Sequence, residues 1–180
     1  SQKILDILKK KTQNLNQNAR ALAACRRAGI FCTATFMIGN PEETLDDIKQ
    51  TFEFIKNNKI DQVSFLVTTP FPGTELWNWC QSKNLIPKDI NWSDFSTGAV
   101  SIPCNTTLAP SLIQKLRDEM QYYFHPLTFR EIVTYLPQRP DLMGRFFHNP
   151  FGLARILFRA SGRKDISAGD FINKIVGNNK

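Results

Sequence analysis

Two short turns hold the residue types in this sequence best suited to binding or chemistry. They are Phe36-Met37-Ile38-Gly39-Asn40-Pro41-Glu42-Glu43-Thr44 and Thr68-Thr69-Pro70-Phe71-Pro72-Gly73-Thr74. Each ends a run of β-branched and aromatic residues, so Gly and Pro leave backbone N–H and C=O groups unpaired at a strand end, beside Phe and Met. Groups of this kind can hold a flat heteroaromatic ring such as adenine by stacking and main-chain hydrogen bonds. The alternative is a pair of tight β-to-α turns with no ligand. Other chemistries are poorly served. Neither G-x-G-x-x-G nor G-x-x-x-x-G-K-[ST] occurs, which disfavours phosphoryl transfer. His125 and His148 stand at no familiar metal spacing from Cys, Asp or Glu and suit packing or helix ends. Cys25 and Cys32 are separated by a helix end, Cys80 and Cys104 are isolated, and no C-x-x-C is present, so the thiols read as buried and structural.

The elements around these turns follow from periodicity. Ile4, Leu5, Ile7 and Leu8 alternate with charges over Ser1 to Lys11, which predicts a short amphipathic helix without an evident cap. After a polar stretch from Thr12 to Asn18, an alanine-rich helix over Ala19 to Ala28 stops at Gly29. The run Ile30 to Ile38 has no polar alternation and predicts a parallel strand covered on both faces. Asn40 reads as an N-cap with Pro41 at the first helical position and Glu43 three after the cap. The helix then continues through Leu45, Ile48, Phe52 and Ile55 to Asn57. A second strand spans Gln62 to Thr69, and Thr74 caps a helix over Glu75 to Ser82. Strand, helix, strand, helix in this order is a right-handed crossover unit with both strand ends on one side, so the two turns are neighbours.

Asn84 to Thr107 shows no sustained period beyond one short strand expected at Ala99 to Ile102. Helices are expected at Pro110–Phe124, 127–136, 140–147, 150–160 and 167–176. The expected organisation is therefore an α/β segment over residues 1–86, an irregular connection over 87–107 and a helical extension over 108–180. Overall composition, with 42% hydrophobic and 22% charged residues among 180, is that of an ordinary globular chain. No stretch approaches the roughly 20 apolar residues of a membrane span. Few cysteines and no secretory leader predict a reducing, cytoplasmic setting. The net charge of +7 is concentrated in the tail, with 12 basic against 10 acidic residues over 1–107 and 11 against 6 over 108–180.

Four ordered motifs make the chain familiar: Ser1-Gln2-Lys3-Ile4-Leu5-Asp6, Ala28-Gly29-Ile30, Gly39-Asn40-Pro41-Glu42-Glu43-Thr44 and Thr69-Pro70-Phe71-Pro72-Gly73-Thr74-Glu75-Leu76. Together they resemble radical S-adenosylmethionine enzymes, in particular the branch with an N-terminal cobalamin-binding domain that includes anaerobic Mg-protoporphyrin ester cyclase-like proteins. The likeness covers residues 1 to about 86, with a looser similarity around Leu108 to Phe129. It implies the C-terminal half of a partial, TIM-like (βα) barrel followed by an α-helical tail. In that family a C-x-x-x-C-x-x-C loop holds a [4Fe-4S] cluster that cleaves S-adenosylmethionine to a 5′-deoxyadenosyl radical. No such loop occurs here, so the chain by itself is expected to bind no cluster and to be inactive, with no catalytic or metal residue of its own.

What the resemblance transfers is the far wall of the cofactor site. Phe36, Met37, Ile38 and Gly39 would contact the adenine, and Thr68, Thr69 and Pro70 would lie beside it. Asn40 stands where the family often has Leu or Phe, and Glu42 where it often has Gly, which implies a more tightly capped turn. The implied partners are a missing N-terminal half-barrel and a cobalamin-binding domain of the same polypeptide, and the implied chemistry is hydrogen abstraction from an unactivated carbon.

Two other readings start from the basic tail. Arg145, Arg155, Arg159, Arg163 and Lys164 interleave with Phe146, Phe147, Phe151 and Phe158, as in a module for a membrane surface or a lipophilic ligand. A solvated basic face over a helical core is favoured over it. Nucleic-acid binding ranks last, because no dense Lys/Arg run or RNA-binding motif accompanies the charge. A half-barrel would also expose strand edges, which predicts self-association, strand exchange or cover by tail helices.

Overall fold

Leucine-, isoleucine- and phenylalanine-rich faces at helical spacing and two β-branched runs organise the protein, seen here in a computed structural model that describes residues 1–10, 14–91, 95–100, 102–124 and 166–177. Helix α1 (Gln2–Ile7) is followed by α2 (Leu15–Arg27), β1 (Thr33–Ile38), α3 (Leu45–Asn58), β2 (Gln62–Val67), α4 (Glu75–Ser82), α5 (Pro110–Phe124) and α6 (Ala168–Gly177). All the described residues except Ile166 lie in one compact unit, Ser1–Phe124 with Ser167–Lys180. The expected helices at 127–136, 140–147 and 150–160, both histidines and the basic tail cluster lie outside the described residues. None of the described helices is long and apolar enough to cross a membrane.

The two strands are parallel neighbours, with Thr33 opposite Gln62 and Ile38 opposite Val67. This is the crossover unit that the order of elements predicts. Among the described residues the sheet has two strands, a parallel α/β layer consistent with a partial βα fragment.

Several boundaries differ from the sequence expectation for local physical reasons. Ser1 does cap α1, its hydroxyl accepting from the Ile4 N–H. Helix α2 begins within the polar stretch because the Asn14 side chain accepts from the Gln17 N–H, and its chain reverses at Gly29 (φ 69°), as expected. Helix α3 does not start at Asn40 and Pro41. Its N-cap is Thr44, whose hydroxyl accepts from the Asp47 N–H while the Asp47 carboxylate accepts from the Thr44 N–H, a reciprocal capping box one turn later than predicted. At 99–100 the chain turns, and no strand forms there.

Strand β1 is also not covered on both faces. Ala34, Phe36 and Ile38, with Val63, Phe65 and Val67 opposite them, form the apolar face. On that side Phe36 meets Phe54 of α3 at 6.4 Å, and Phe65 meets Phe124 of α5 at 6.1 Å. Phe52 of α3 is fully buried and lies within 5.0 Å of Tyr123, Phe124 and Phe171, so one ring joins α3, α5 and α6. The other face carries Thr33, Thr35 and Met37 beside Gln62, Ser64 and Leu66. The Thr35 and Ser64 hydroxyls hydrogen-bond across it at 3.1 Å, and Met37 is 45% exposed.

Candidate functional site

The strand ends meet in a buried polar cluster that connects both predicted turns. Gly39 leaves β1 with φ 77°, and a Cβ there would stand 3.0 Å from the Ile113 side chain of α5, so both conformation and space call for glycine. The next turn brings Glu43 back beneath the strand end. Its carboxylate Oε2 accepts the Gly39 N–H at 2.7 Å and the Asn40 N–H at 3.1 Å, and Oε1 accepts from Asn40 Nδ2 at 3.2 Å. Asn40 Nδ2 also donates to the Met37 carbonyl, and Asn40 Oδ1 accepts from the Thr68 hydroxyl at 2.7 Å. Thr68 N–H in turn donates to the Ile38 carbonyl. Both strand ends are thus fixed through one asparagine.

Asn105 closes the cluster from the irregular connection. Its Nδ2 donates to the carbonyls of Asn40 (2.7 Å) and Glu43 (2.8 Å), while its Oδ1 accepts from the Thr107 and Leu108 N–H groups. Every polar group of this buried amide is used, as burial demands. Sequence reasoning missed Asn105 altogether and assigned Asn40 and Glu43 to a helix cap. The available signal was the placement of a lone Asn before Thr-Thr-Leu at the start of a helix, which offers turn chemistry but not its distant partner.

Electrostatically the two nearby carboxylates are opposites. Glu43 is 2% exposed, and its burial pushes its pKa up to about 7 against the pull of its N–H donors, with the Asp47 charge adding to the rise. Asp47 resists the effect of burial: the Ser1 hydroxyl, the Lys3 ammonium and the Thr44 N–H and hydroxyl all donate to it and hold it well below the usual carboxylate range. Glu42, the position where glycine is frequent in the resembled family, adopts φ 56°, a conformation natural to glycine, and its carbonyl accepts from the Lys3 ammonium.

The seven residues predicted for the site divide in three. Phe36 and Ile38 turn to the helix-covered face, so their side chains pack in the core. Gly39, Thr68, Thr69 and Pro70 are buried at the strand ends, with Thr69 Oγ1 donating to the carbonyls of Val67 and Ser96. Met37 alone presents its side chain on the open face. A cavity of about 490 Å³ lies elsewhere, between α1 and α4, lined by Ile7, Leu8, Pro41 and Trp79 and rimmed by a Lys9–Glu75 ion pair, and none of the seven lines it.

Cys80 and Cys104 are buried, as expected, and the Cys104 thiol donates to the Thr68 carbonyl at 3.4 Å. Burial pushes the Cys104 thiol far above its usual range. Cys25 at the end of α2 and Cys32 before β1 are both partly exposed rather than buried. Among the described residues no group of three or more His, Cys, Asp or Glu could hold a metal ion. The described residues therefore do not fit an iron-sulfur cluster.

No family model matches the chain, and no solved structure matches it significantly. It is similar to curated proteins that carry enzyme names. It is 33% identical over 81 residues to an uncharacterized methyltransferase of Pyrococcus horikoshii, an alignment covering 45% of this chain and 17% of that protein. To the bacteriochlorophyllide d C-8(2)-methyltransferase of Chlorobaculum tepidum it is 23% identical over 150 residues, covering 83% of this chain and 30% of the relative. To the anaerobic magnesium-protoporphyrin IX monomethyl ester cyclase of Rubrivivax gelatinosus it is 29% identical over 73 residues, covering 41% and 13%. The matched segment spans less than a third of each relative.

Proposed function

We propose that this chain is the C-terminal part of a radical S-adenosylmethionine enzyme, in which the open face of β1 and β2 forms the adenine-side wall of the cofactor site. The observation that carries the reading is the asymmetry of the sheet. One face is packed under α3 and α5, whereas the other presents Met37 and Leu66 at the carboxyl ends of two parallel strands, where α/β layers bind ligands. The similarity to methyltransferases and a cyclase supports an enzyme of this kind. When bound in the whole protein, the cluster would supply the electron that cleaves S-adenosylmethionine, and a cobalamin domain would precede this segment. This chain's own residues orient the ligand. Met37 packs on the adenine, and the Glu43–Asn40–Thr68–Asn105 cluster holds the strand ends that carry it.

In this reading the cluster ligands and the remaining strands belong to a preceding half-barrel that pairs with β1, in a cytoplasmic protein. The test is to express the complete open reading frame, reconstitute it anaerobically with iron and sulfide, and follow reductant-dependent formation of 5′-deoxyadenosine. Cleavage by the wild type, with at least about tenfold weaker S-adenosylmethionine binding in Met37→Glu, is expected for a charge placed against a bound ring. A reading frame without a C-x-x-x-C-x-x-C segment, or equal binding by the variant, overturns the reading.

A further inference from the structure

The cavity between α1 and α4 has the make-up of a small-molecule site. Ile7, Leu8, Pro41, Leu76 and Trp79 supply apolar walls, and Lys9 and Glu75 add one charge of each sign at the rim. Its volume of about 490 Å³ lies within the roughly 300–1,000 Å³ of sites that hold small organic ligands, which are mostly apolar with a few polar groups. Leu8, Leu76 and Trp79 are each partly exposed, so the walls are accessible to a solute.

The way the chain leaves α1 carries a cation to this rim. The Lys10 N–H bonds to the Leu5 carbonyl at 2.8 Å and the Lys9 N–H to the Asp6 carbonyl at 3.0 Å. This is a Schellman closure in which Lys9, at φ 56°, takes the left-handed position usually given to glycine. A lysine is disfavoured in that backbone conformation. Its ammonium lies 2.6 Å from Glu75 Oε2, but the two side chains are 63% and 76% exposed, and ion pairs so exposed add little to stability. The pair therefore does not offset the lysine's strained position. It does leave a cation at the mouth of an apolar cavity, on a partner that is easily exchanged.

We propose that this cavity binds a small apolar carboxylic acid, its hydrocarbon body against Leu8, Leu76 and Trp79 and its carboxylate on the Lys9 ammonium in place of Glu75. An anion is favoured over a cation on two counts. Lys10 is exposed and follows Lys9 directly, so the chain supplies two adjacent cations there. Glu75 stands in the first turn of α4, where solvent and the helix N-terminus continue to favour its charge once Lys9 turns away. None of the seven residues assigned to the adenine wall lines the cavity, so binding here requires neither a cluster nor S-adenosylmethionine.

The test is a titration of the complete protein, without reductant or S-adenosylmethionine, with 1-pyrenebutyrate and in parallel with uncharged 1-pyrenebutanol, read by energy transfer from tryptophan. The wild type should bind the carboxylate saturably and more tightly than the alcohol. Lys9→Gln should weaken pyrenebutyrate binding about tenfold, as for loss of one charge-assisted hydrogen bond, and leave pyrenebutanol unchanged. Glu75→Gln should tighten pyrenebutyrate binding, because Lys9 then has no competing carboxylate to release. Both side chains are exposed, so neither substitution disturbs the core. Effects of opposite sign are the signature of a ligand carboxylate on Lys9, since an ion pair that only closes the cavity would shift both variants in the same direction. Absence of saturable binding, equal affinity for carboxylate and alcohol, unchanged binding by Lys9→Gln, or unchanged or weaker binding by Glu75→Gln overturns the proposal.

Discussion

The two outer edges of the sheet are built in opposite ways. On β2 the odd-numbered backbone groups face away from β1, and each described partner comes from outside the sheet. Gln121 of α5 acts like a piece of strand, its Oε1 accepting from the Phe65 N–H at 2.8 Å and its Nε2 donating to the Val63 carbonyl. Arg117 Nε donates to the Phe65 carbonyl, and the Thr97 carbonyl accepts the Val67 N–H. On β1 the carbonyls of Cys32 and Ile38 accept from Gln62 and Thr68, so the N–H groups of Thr33, Thr35 and Met37 point to the other side. Among the described residues nothing pairs with them there. Ile30 and Phe31 are 57% and 69% exposed just before this strand. A helix whose side chains complete a ladder ends a sheet, whereas a bare edge next to exposed apolar residues is where a sheet continues or associates. Among the described residues, α5 and the Thr97 carbonyl thus cover the β2 edge, whereas nothing pairs with the outward N–H groups of β1.

Four measurements test this contrast, taken from the largest expected effect downwards. Phe52→Ala removes the ring that holds α5 and α6 to α3, and urea unfolding should show a loss of about 3–5 kcal/mol, with the β2 edge uncovered and dye binding increased. The β1 side should depend on pH through its strand-end cluster. Glu43 has a raised pKa in the fold, so its contribution is complete below its ordinary value of 4.5 and is lost as pH rises through about 7. The loss is about 3 kcal/mol between pH 5 and 8, and Glu43→Gln should flatten it. Asp47, with a depressed pKa, works the other way: its contribution is present above its ordinary value of 3.8 and disappears as pH falls below it. These two groups together favour a stability maximum near about pH 4–5.

Gln121→Ala comes next. It leaves the Phe65 N–H and Val63 carbonyl without their side-chain partner and should cost about 2 kcal/mol. Thr35→Ala on the open edge should change stability by less than about 0.5 kcal/mol. Equal losses at the two sites would remove the contrast between the edges. The last effect is a gain. Glu42→Gly at φ 56° relieves a left-handed residue and should stabilise the fold by about 1 kcal/mol in the same assay.

Much of this architecture was legible in residue order. The amphipathic spacing of Leu45, Ile48, Phe52 and Ile55, the Thr74 cap, the Gly29 stop and the span Pro110–Phe124 each express a local rule that works within one or two turns of chain. The errors lie where a local rule had a competitor. Asn40, Pro41 and Glu43 satisfied a capping pattern, but Thr44 with Asp47 satisfied it as well, and Asn40 and Glu43 found buried partners in Gly39, Thr68 and Asn105 instead. The run Ile30 to Ile38 looked doubly covered because threonine suits strands on either face. Which face lay open depended on the helices packed against it. Of the predicted site, the strand-end location followed from Gly and Pro punctuation, but not which side chains would point outward.

The sequence alone therefore determined the crossover order, both strands, the Thr74 N-cap of α4 and the helical character of α5, because each is set by interactions between residues a few positions apart. Only the tertiary structure decided that Gln121 would serve as a strand for β2 and that Asn105 would clasp a turn more than sixty residues earlier. Those arrangements depend on which buried polar groups remain unsatisfied after the elements pack, and a buried donor or acceptor is paired by whatever residue the fold brings within reach, regardless of its distance along the chain.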